Sequence, residues 1–192
     1  MGNERFTVRQ KTTLMVNRYV VTEALPDGSD GKVVAFAEQK RMTLRERMTF
    51  YTDESRDRVL FTAEACQVLD VGAVYDVKDA TGTSIGTFRK KFGASLLRST
   101  WEMDQPGSIT ATGRERNTTV AVLRRVWELL PLDLVPFAWP YHFDFADGEK
   151  PVMKVDKRFG LRDRYLLDVA SPGLDLRLAI AQTVALDALQ SR

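Results

Sequence analysis

The chain has 192 residues, of which 44% are hydrophobic and 28% charged, a balance that excludes wholesale disorder and a fibrous repeat. Its formal net charge of +2 is too small to predict nucleic acid or an acidic substrate as a partner. A chain of this length suits one domain with a sizeable core, and we predict a single domain over residues 1–192.

Most of the chain has the pattern of short strands separated by turn residues. The segments LPDGSDGK (25–32) and DATGTS (79–84) carry the glycines and aspartates typical of tight turns. Twelve segments are predicted as strands: RFTVRQ, NRYVVTEA, KVVAFAEQ, RMTFYTDE, RVLFTAEA, AVYDVKD, SIGTFRKKF, SLLRSTWEM, SITATGRE, YHFDF, PVMKVDKRFG and RYLLDVAS. Their even spacing predicts a β-barrel or a β-sandwich.

Two of these strands show a strict alternation of apolar and polar residues. In LRSTWEM, Trp101 and Met103 share one face with Leu97 and Ser99. In YHFDF, the aromatic residues at 141, 143 and 145 oppose the polar residues at 142 and 144. Such alternation is typical of a strand with one buried and one solvated face.

Two segments break the strand pattern. Residues 117–130, NTTVAVLRRVWELL, place apolar residues at helical spacing, and this predicts an amphipathic helix that Pro131 ends. A second helix is predicted near the carboxyl terminus, with Ser171 as its N-cap and Pro172 as its first residue. Asp175 would then lie in an early turn, where the helix dipole favours a carboxylate.

The terminal helix has almost no polar face. The few polar residues between Leu174 and Leu189 are spread around the helix axis, and the central turns are apolar on most sides. A helix that is apolar all round is a buried helix, and this one is too short to cross a bilayer. We therefore predict a mainly β fold, a closed barrel of about twelve strands around a buried hydrophobic C-terminal helix.

Cys66 is the only cysteine, so an internal disulfide and a Cys-rich metal site are excluded. Its apolar neighbours favour a buried, unreactive thiol over a reactive one. A chain without disulfides favours a reducing compartment, and we predict a cytoplasmic location.

Two segments carry a resemblance to a known family. They are VYDVKDATGTSIGTFRKKFGASLLRSTWEM, residues 74–103, and RYLLDVASPGLDLRLAIAQTVALDAL, residues 164–189. The first has a strand, a turn ending in Gly82 and a basic strand that leads to a Trp-containing strand; the second has a last strand followed by an apolar helix. In both respects the chain resembles the LURP-one-related family, which shares the tubby C-terminal-like fold with the phospholipid scramblases. The resemblance implies a twelve-stranded barrel around a central C-terminal helix.

The resemblance implies lipid binding as one function, because tubby domains bind phosphoinositides through basic side chains. It does not extend to scramblase chemistry, because the chain lacks the cysteine-rich palmitoylated segment and the acidic calcium-binding stretch of scramblases.

The densest basic cluster is Arg89, Lys90 and Lys91 in the seventh predicted strand. It could bind an anionic lipid headgroup through charge-assisted hydrogen bonds, or it could be a solvated strand end that discourages edge pairing. The candidate lipid-binding residues are Arg89, Lys90, Lys91, Arg98, Arg124 and Arg125. The apolar connector at 131–143 could similarly meet a membrane interface or pack over the rim of the barrel.

The sequence offers no catalytic constellation. His142 is the only histidine, and strand alternation predicts it on an outer face, with neither a GxSxG elbow nor a metal-binding partner. We therefore expect a protein that is not an enzyme and needs no metal or cofactor.

Two functions remain open at this point. The first is a binding module for anionic phospholipid or phosphoinositide headgroups, placed peripherally at a membrane surface. The second is a structural or protein-interaction domain without a lipid ligand. A small-molecule carrier is less favoured, because the central helix would occupy the space that a ligand cavity needs.

Overall fold

A computed structural model describes residues 4–11, 16–40, 46–69, 72–91, 100–116, 142–158 and 163–190. The predicted helix at 117–130 lies outside the described residues. So does the connector at 131–143, except for its last two residues. The strands are β1 Glu4–Lys11, β2 Val16–Ala24, β3 Asp30–Lys40, β4 Arg47–Tyr51, β5 Val59–Leu69, β6 Gly72–Asp79, β7 Ser84–Lys91, β8 Thr100–Gln105, β9 Ile109–Glu115, β10 His142–Asp147, β11 Lys150–Arg158 and β12 Arg164–Val169. Within these ranges the structure has one helix, α1, which spans Leu176–Gln190.

The twelve strands form a closed antiparallel barrel, as the sequence predicts. Each strand pairs with its neighbours in the chain, and β1 closes the ring against β12, from Glu4 opposite Val169 to Arg9 opposite Arg164. Because the strands run alternately up and down, the connections 25–29, 80–83, 106–108 and 148–149 lie together at one end of the barrel, which we call the turn end. Helix α1 begins at this end and runs down the axis.

The tight turns follow the predicted chemistry. Gly28 and Gly82 have φ angles of 82° and 89°, a region that favours glycine. The carboxylate of Asp79 accepts hydrogen bonds from the backbone N–H groups of Thr81 and Thr83, at 2.8 and 2.9 Å. These side-chain bonds satisfy turn donors that the strands cannot reach.

Helix α1 occupies the axis of the barrel. Every residue from Leu178 to Ala188 is buried, and the most exposed of them, Asp187, retains 8% of its surface. The prediction of an encircled helix is thus confirmed. Small side chains line much of the helix, so the inner faces of the strands come close to its backbone.

The start of the helix differs from the sequence prediction. Ser171 is not the N-cap: its carbonyl accepts a hydrogen bond from the N–H of Leu174, so residues 171–174 form a turn before the helix. Asp175 is the N-cap, and its Oδ1 accepts the N–H of Arg177 at 2.9 Å. Ser171 is instead tied to the barrel wall, since its N–H donates to the carbonyl of Val152 at 3.0 Å.

The alternating strands face as predicted within the described residues. Trp101, Met103 and Phe143 are fully buried, Phe145 is 1% exposed, and the intervening side chains are half-buried on the outer wall. Leu97, Ser99 and Tyr141 lie outside the described residues. A glycine makes room for one of these rings, because a Cβ on Gly113 would clash with the ring of Phe145.

Cys66 is exposed, and the expectation of a buried thiol is therefore wrong. The register of β5 against β6 shifts between Ala65 and Gln67, so Cys66 is the extra residue of a bulge. Its Sγ lies 3.2 Å from the carbonyl oxygen of Val74. Burial of Ala63 and Ala65 shows that the inward positions of β5 are odd-numbered, which leaves position 66 on the outside.

One buried carboxylate lies near the end of α1 away from the turn end. Asp187 accepts hydrogen bonds from the hydroxyls of Tyr19, at 2.8 Å, and Tyr165. Burial raises the pKa of Asp187 above its usual value, and the two tyrosine hydrogen bonds only partly offset that effect. The contacts link the helix to β2 and β12, which stand on either side of the barrel's closing strand β1.

Candidate functional site

The predicted basic cluster lies at the last residues of β7, at the barrel end opposite the turn end. Arg89 and Lys91 are exposed on the outer wall, whereas Lys90 is half-buried and shares the inward parity of Phe88. The three consecutive residues therefore do not act as one surface. Arg98, Arg124 and Arg125 lie outside the described residues, and the structure does not test their part in the cluster.

One acidic residue holds both outward cations. Glu102 stands opposite Arg89 in the β7–β8 register. Its Oε2 accepts a hydrogen bond from Arg89 Nε at 2.8 Å and forms an ion pair with Arg89 Nη2 at 2.6 Å. Lys91 Nζ contacts the other carboxylate oxygen. Burial opposes the charge of Glu102, but the hydrogen bonds from Lys91 and Arg89 outweigh it and hold the pKa of Glu102 below its usual value.

The register adds a basic residue that sequence reasoning missed. Thr100 on β8 pairs with Lys91 on one side and with Arg114 on the other, so both side chains lie on the same outward row. Two strand spacings put their Cα atoms about 10 Å apart. Arg114 is exposed, and no hydrogen bond or ion pair of its side chain is found within the described residues. The alternation of TATGRE places Arg114 outward, but only the β8–β9 pairing brings it beside Lys91.

We call Arg89, Lys91 and Arg114 with Glu102 between them the basic wall patch. It carries three cationic side chains and one carboxylate, an excess of two positive charges. The next carboxylate along the row, Asp144, is already held by Arg116, whose Nε and Nη2 donate to it at 2.8 and 2.5 Å. These hydrogen bonds keep the pKa of Asp144 below its usual value.

His142 occupies the outer wall, as the alternation predicts. Its Nδ1 lies 2.8 Å from Oδ1 of Asp156, the residue opposite it on β11, and its side chain is 32% exposed. Arg116 lies 3.5 Å from the same carboxylate, so His142 and Arg116 share Asp156 on the outer wall. Within the ranges that the structure describes, no three His, Cys, Asp or Glu side chains are grouped to hold a metal ion.

The architecture defines the class of protein. Twelve antiparallel strands closed around a hydrophobic C-terminal helix form a barrel of the tubby-like kind. Residues 33–187 match the family model LURP-one-related, and the chain belongs to this family. No curated protein matches the chain. In the part of the chain that the structure describes, no helix combines the length and the hydropathy of a membrane span.

Proposed function

We propose that the protein is a non-enzymatic module that binds anionic phospholipid headgroups, phosphoinositides included, through the basic wall patch. Binding would hold it peripherally at the cytoplasmic face of a membrane, where anionic lipids attract basic side chains. The observation that carries the proposal is the excess of two positive charges in the basic wall patch, at the end of β7–β9 away from the turn end.

The geometry of the patch suits a phosphate group. Arginine and lysine donors on neighbouring strands can converge on phosphate oxygens through charge-assisted hydrogen bonds. Arg89 uses Nε and one terminal nitrogen on Glu102, and other N–H groups of its guanidinium remain for a ligand. Glu102 fixes the orientation of Arg89 and Lys91 but also lowers the positive potential, so a headgroup must compete with it.

Sedimentation with vesicles tests the proposal. The wild-type chain should pellet with vesicles containing phosphatidylserine or a phosphoinositide, and not with phosphatidylcholine alone, and added salt should weaken the binding. The triple variant Arg89→Ala/Lys91→Ala/Arg114→Ala should lose most of it, since each basic residue near an anionic surface contributes about 1 kcal/mol.

A matched control removes the same charge elsewhere. Lys32, Arg58 and Lys150 are exposed and lie away from the patch, so Lys32→Ala/Arg58→Ala/Lys150→Ala should retain clearly more binding than the patch variant. Glu102→Gln should bind anionic vesicles more tightly than wild type, because it removes the competing carboxylate. Equal loss in both triple variants, or indifference to lipid charge, would contradict the proposal.

A further inference from the structure

A cavity of about 670 Å³ opens at the turn end of the barrel, whereas the basic wall patch lies toward the opposite end. It lies between the first turns of α1 and strands β1, β2, β3 and β5. Its volume falls within the range of about 300–1,000 Å³ that is usual for small-molecule sites. Helix α1 fills the barrel axis but does not fill this mouth, which the sequence did not predict.

The walls of the cavity are mainly apolar. The apolar lining residues include Phe6, Leu25, Ala35, Leu60, Leu176 and Ile180. Leu25, one of the three large hydrophobic side chains that are exposed among the described residues, lines the cavity. A cavity with mainly apolar walls is the arrangement expected for a ligand with a hydrocarbon chain.

The charged side chains at the mouth indicate the sign of the head group. The two cations are already paired, Arg5 with Asp168 at 3.0 Å and Arg177 with the N-cap Asp175 at 2.7 Å. Glu4 and Glu23 occupy inward positions of β1 and β2, since Phe6 is buried and pairs with Glu23. Neither carboxylate has a side-chain hydrogen bond or ion pair within the described residues, so the mouth has an excess of negative charge.

We propose that this cavity binds the chain of a single-chain amphiphile whose head group is a cationic amine, with Glu4 and Glu23 facing the amine. The segment 4–25, which supplies both glutamates and Leu25, precedes the span 33–187 that matches the family model. Both glutamates therefore lie outside the matched span, whereas the lining residues of β3, β5 and α1 lie within it. The site does not rest on the proposed lipid-headgroup function.

Methyl NMR titration with dodecylamine tests the proposal on the full chain, below the concentration at which the amine forms micelles. The methyl signals of Ile180 and Leu176, which line the cavity, should shift saturably, whereas those of Leu167 and Val155 on β12 and β11 should not. Dodecanoate, with a matched chain and the opposite charge, should bind about tenfold more weakly. Ala35→Phe, at an inward position of β3 that lines the cavity, should abolish binding by filling it.

Charge variants keep the test decisive if Ala35→Phe does not fold. Glu4→Gln/Glu23→Gln should weaken dodecylamine about fivefold to tenfold and remove its preference over dodecanoate. Asp104→Asn/Glu149→Gln removes two exposed carboxylates, on β8 and in the 148–149 connection, and should leave the affinity unchanged. Three results would overturn the proposal. The first two are equal affinity of wild type for the amine and the carboxylate, and absence of a saturable shift at Ile180. The third is binding of a Lys- and Leu-rich helical peptide without binding of the amine.

Discussion

Shortening Leu178 tests whether α1 carries the stability of the barrel. Leu178 is fully buried on the axis, and its Cδ2 atom lies 2.9 Å from the position that a Cβ on Gly86 would take. Leu178→Ala should therefore leave a cavity between α1 and β7, and such truncations in cores cost about 2–5 kcal/mol. This is a large fraction of the roughly 5–15 kcal/mol by which domains are stable.

A surface leucine gives the control, and a glycine gives a second, independent test. Leu25 is 42% exposed, so Leu25→Ala should change the free energy of unfolding by no more than about 0.5 kcal/mol. Gly86→Ala should cost about 1–3 kcal/mol, because its Cβ would meet both Leu178 Cδ2 and the Asp104 carbonyl oxygen, the latter at 2.5 Å. In the double variant, the shortened side chain at position 178 relieves the first contact and not the second.

The double variant should therefore lose less stability than the sum of the single variants, by about 0.5–1.5 kcal/mol. Urea denaturation followed by far-ultraviolet circular dichroism measures the free energy of unfolding of each variant. If Leu178→Ala were no more destabilising than Leu25→Ala, the helix would not be packed in the core. Strict additivity of Leu178→Ala and Gly86→Ala would refute the contact between α1 and β7.

Two further predictions concern single side chains. Because burial raises the pKa of Asp187 above its unfolded value, its favourable contribution is complete below pH about 4 and is lost as pH rises through the raised pKa. Asp187→Asn keeps partners for Tyr19 and Tyr165 without a buried charge, so urea titrations at several pH values should show its stability relative to wild type increasing with pH. If the difference in free energy of unfolding between the two proteins did not change with pH, burial would not disfavour the charged form of Asp187. Cys66 is exposed, so one equivalent of iodoacetamide should alkylate the native chain, at a rate that 2 M urea changes little. Protection until global unfolding would contradict the outward position of Cys66 on β5.

The pattern of side chains was sufficient to predict the fold. Strand alternation and turn chemistry are local properties, and they located all twelve strands. Residues 178–188 are apolar on most sides of the helix, and such a helix is stable in water only when it is buried, which predicted its place inside the barrel.

Local choices between equivalent signals were less well determined. Ser171 and Asp175 are both suitable N-cap residues by sequence. In the structure the backbone N–H of Ser171 donates a hydrogen bond to Val152 on β11, and Asp175 caps the helix. Cys66 was misassigned because apolar neighbours in the chain were given more weight than the parity of β5, in which positions 63 and 65 point inward.

The sequence by itself determined a barrel of twelve strands with a hydrophobic helix inside it, because the periodicity of apolar residues depends only on positions close together in the chain. Only the tertiary structure decided which distant side chains meet. The register between β7, β8 and β9 puts Arg114 in the same row as Lys91. It also brings Glu102 into ion pairs with both Arg89 and Lys91. Helix α1 does not fill the space beside β1 and β2, and the cavity at the turn end lies in that space. Both depend on strand pairing and packing between remote segments, which no local pattern specifies.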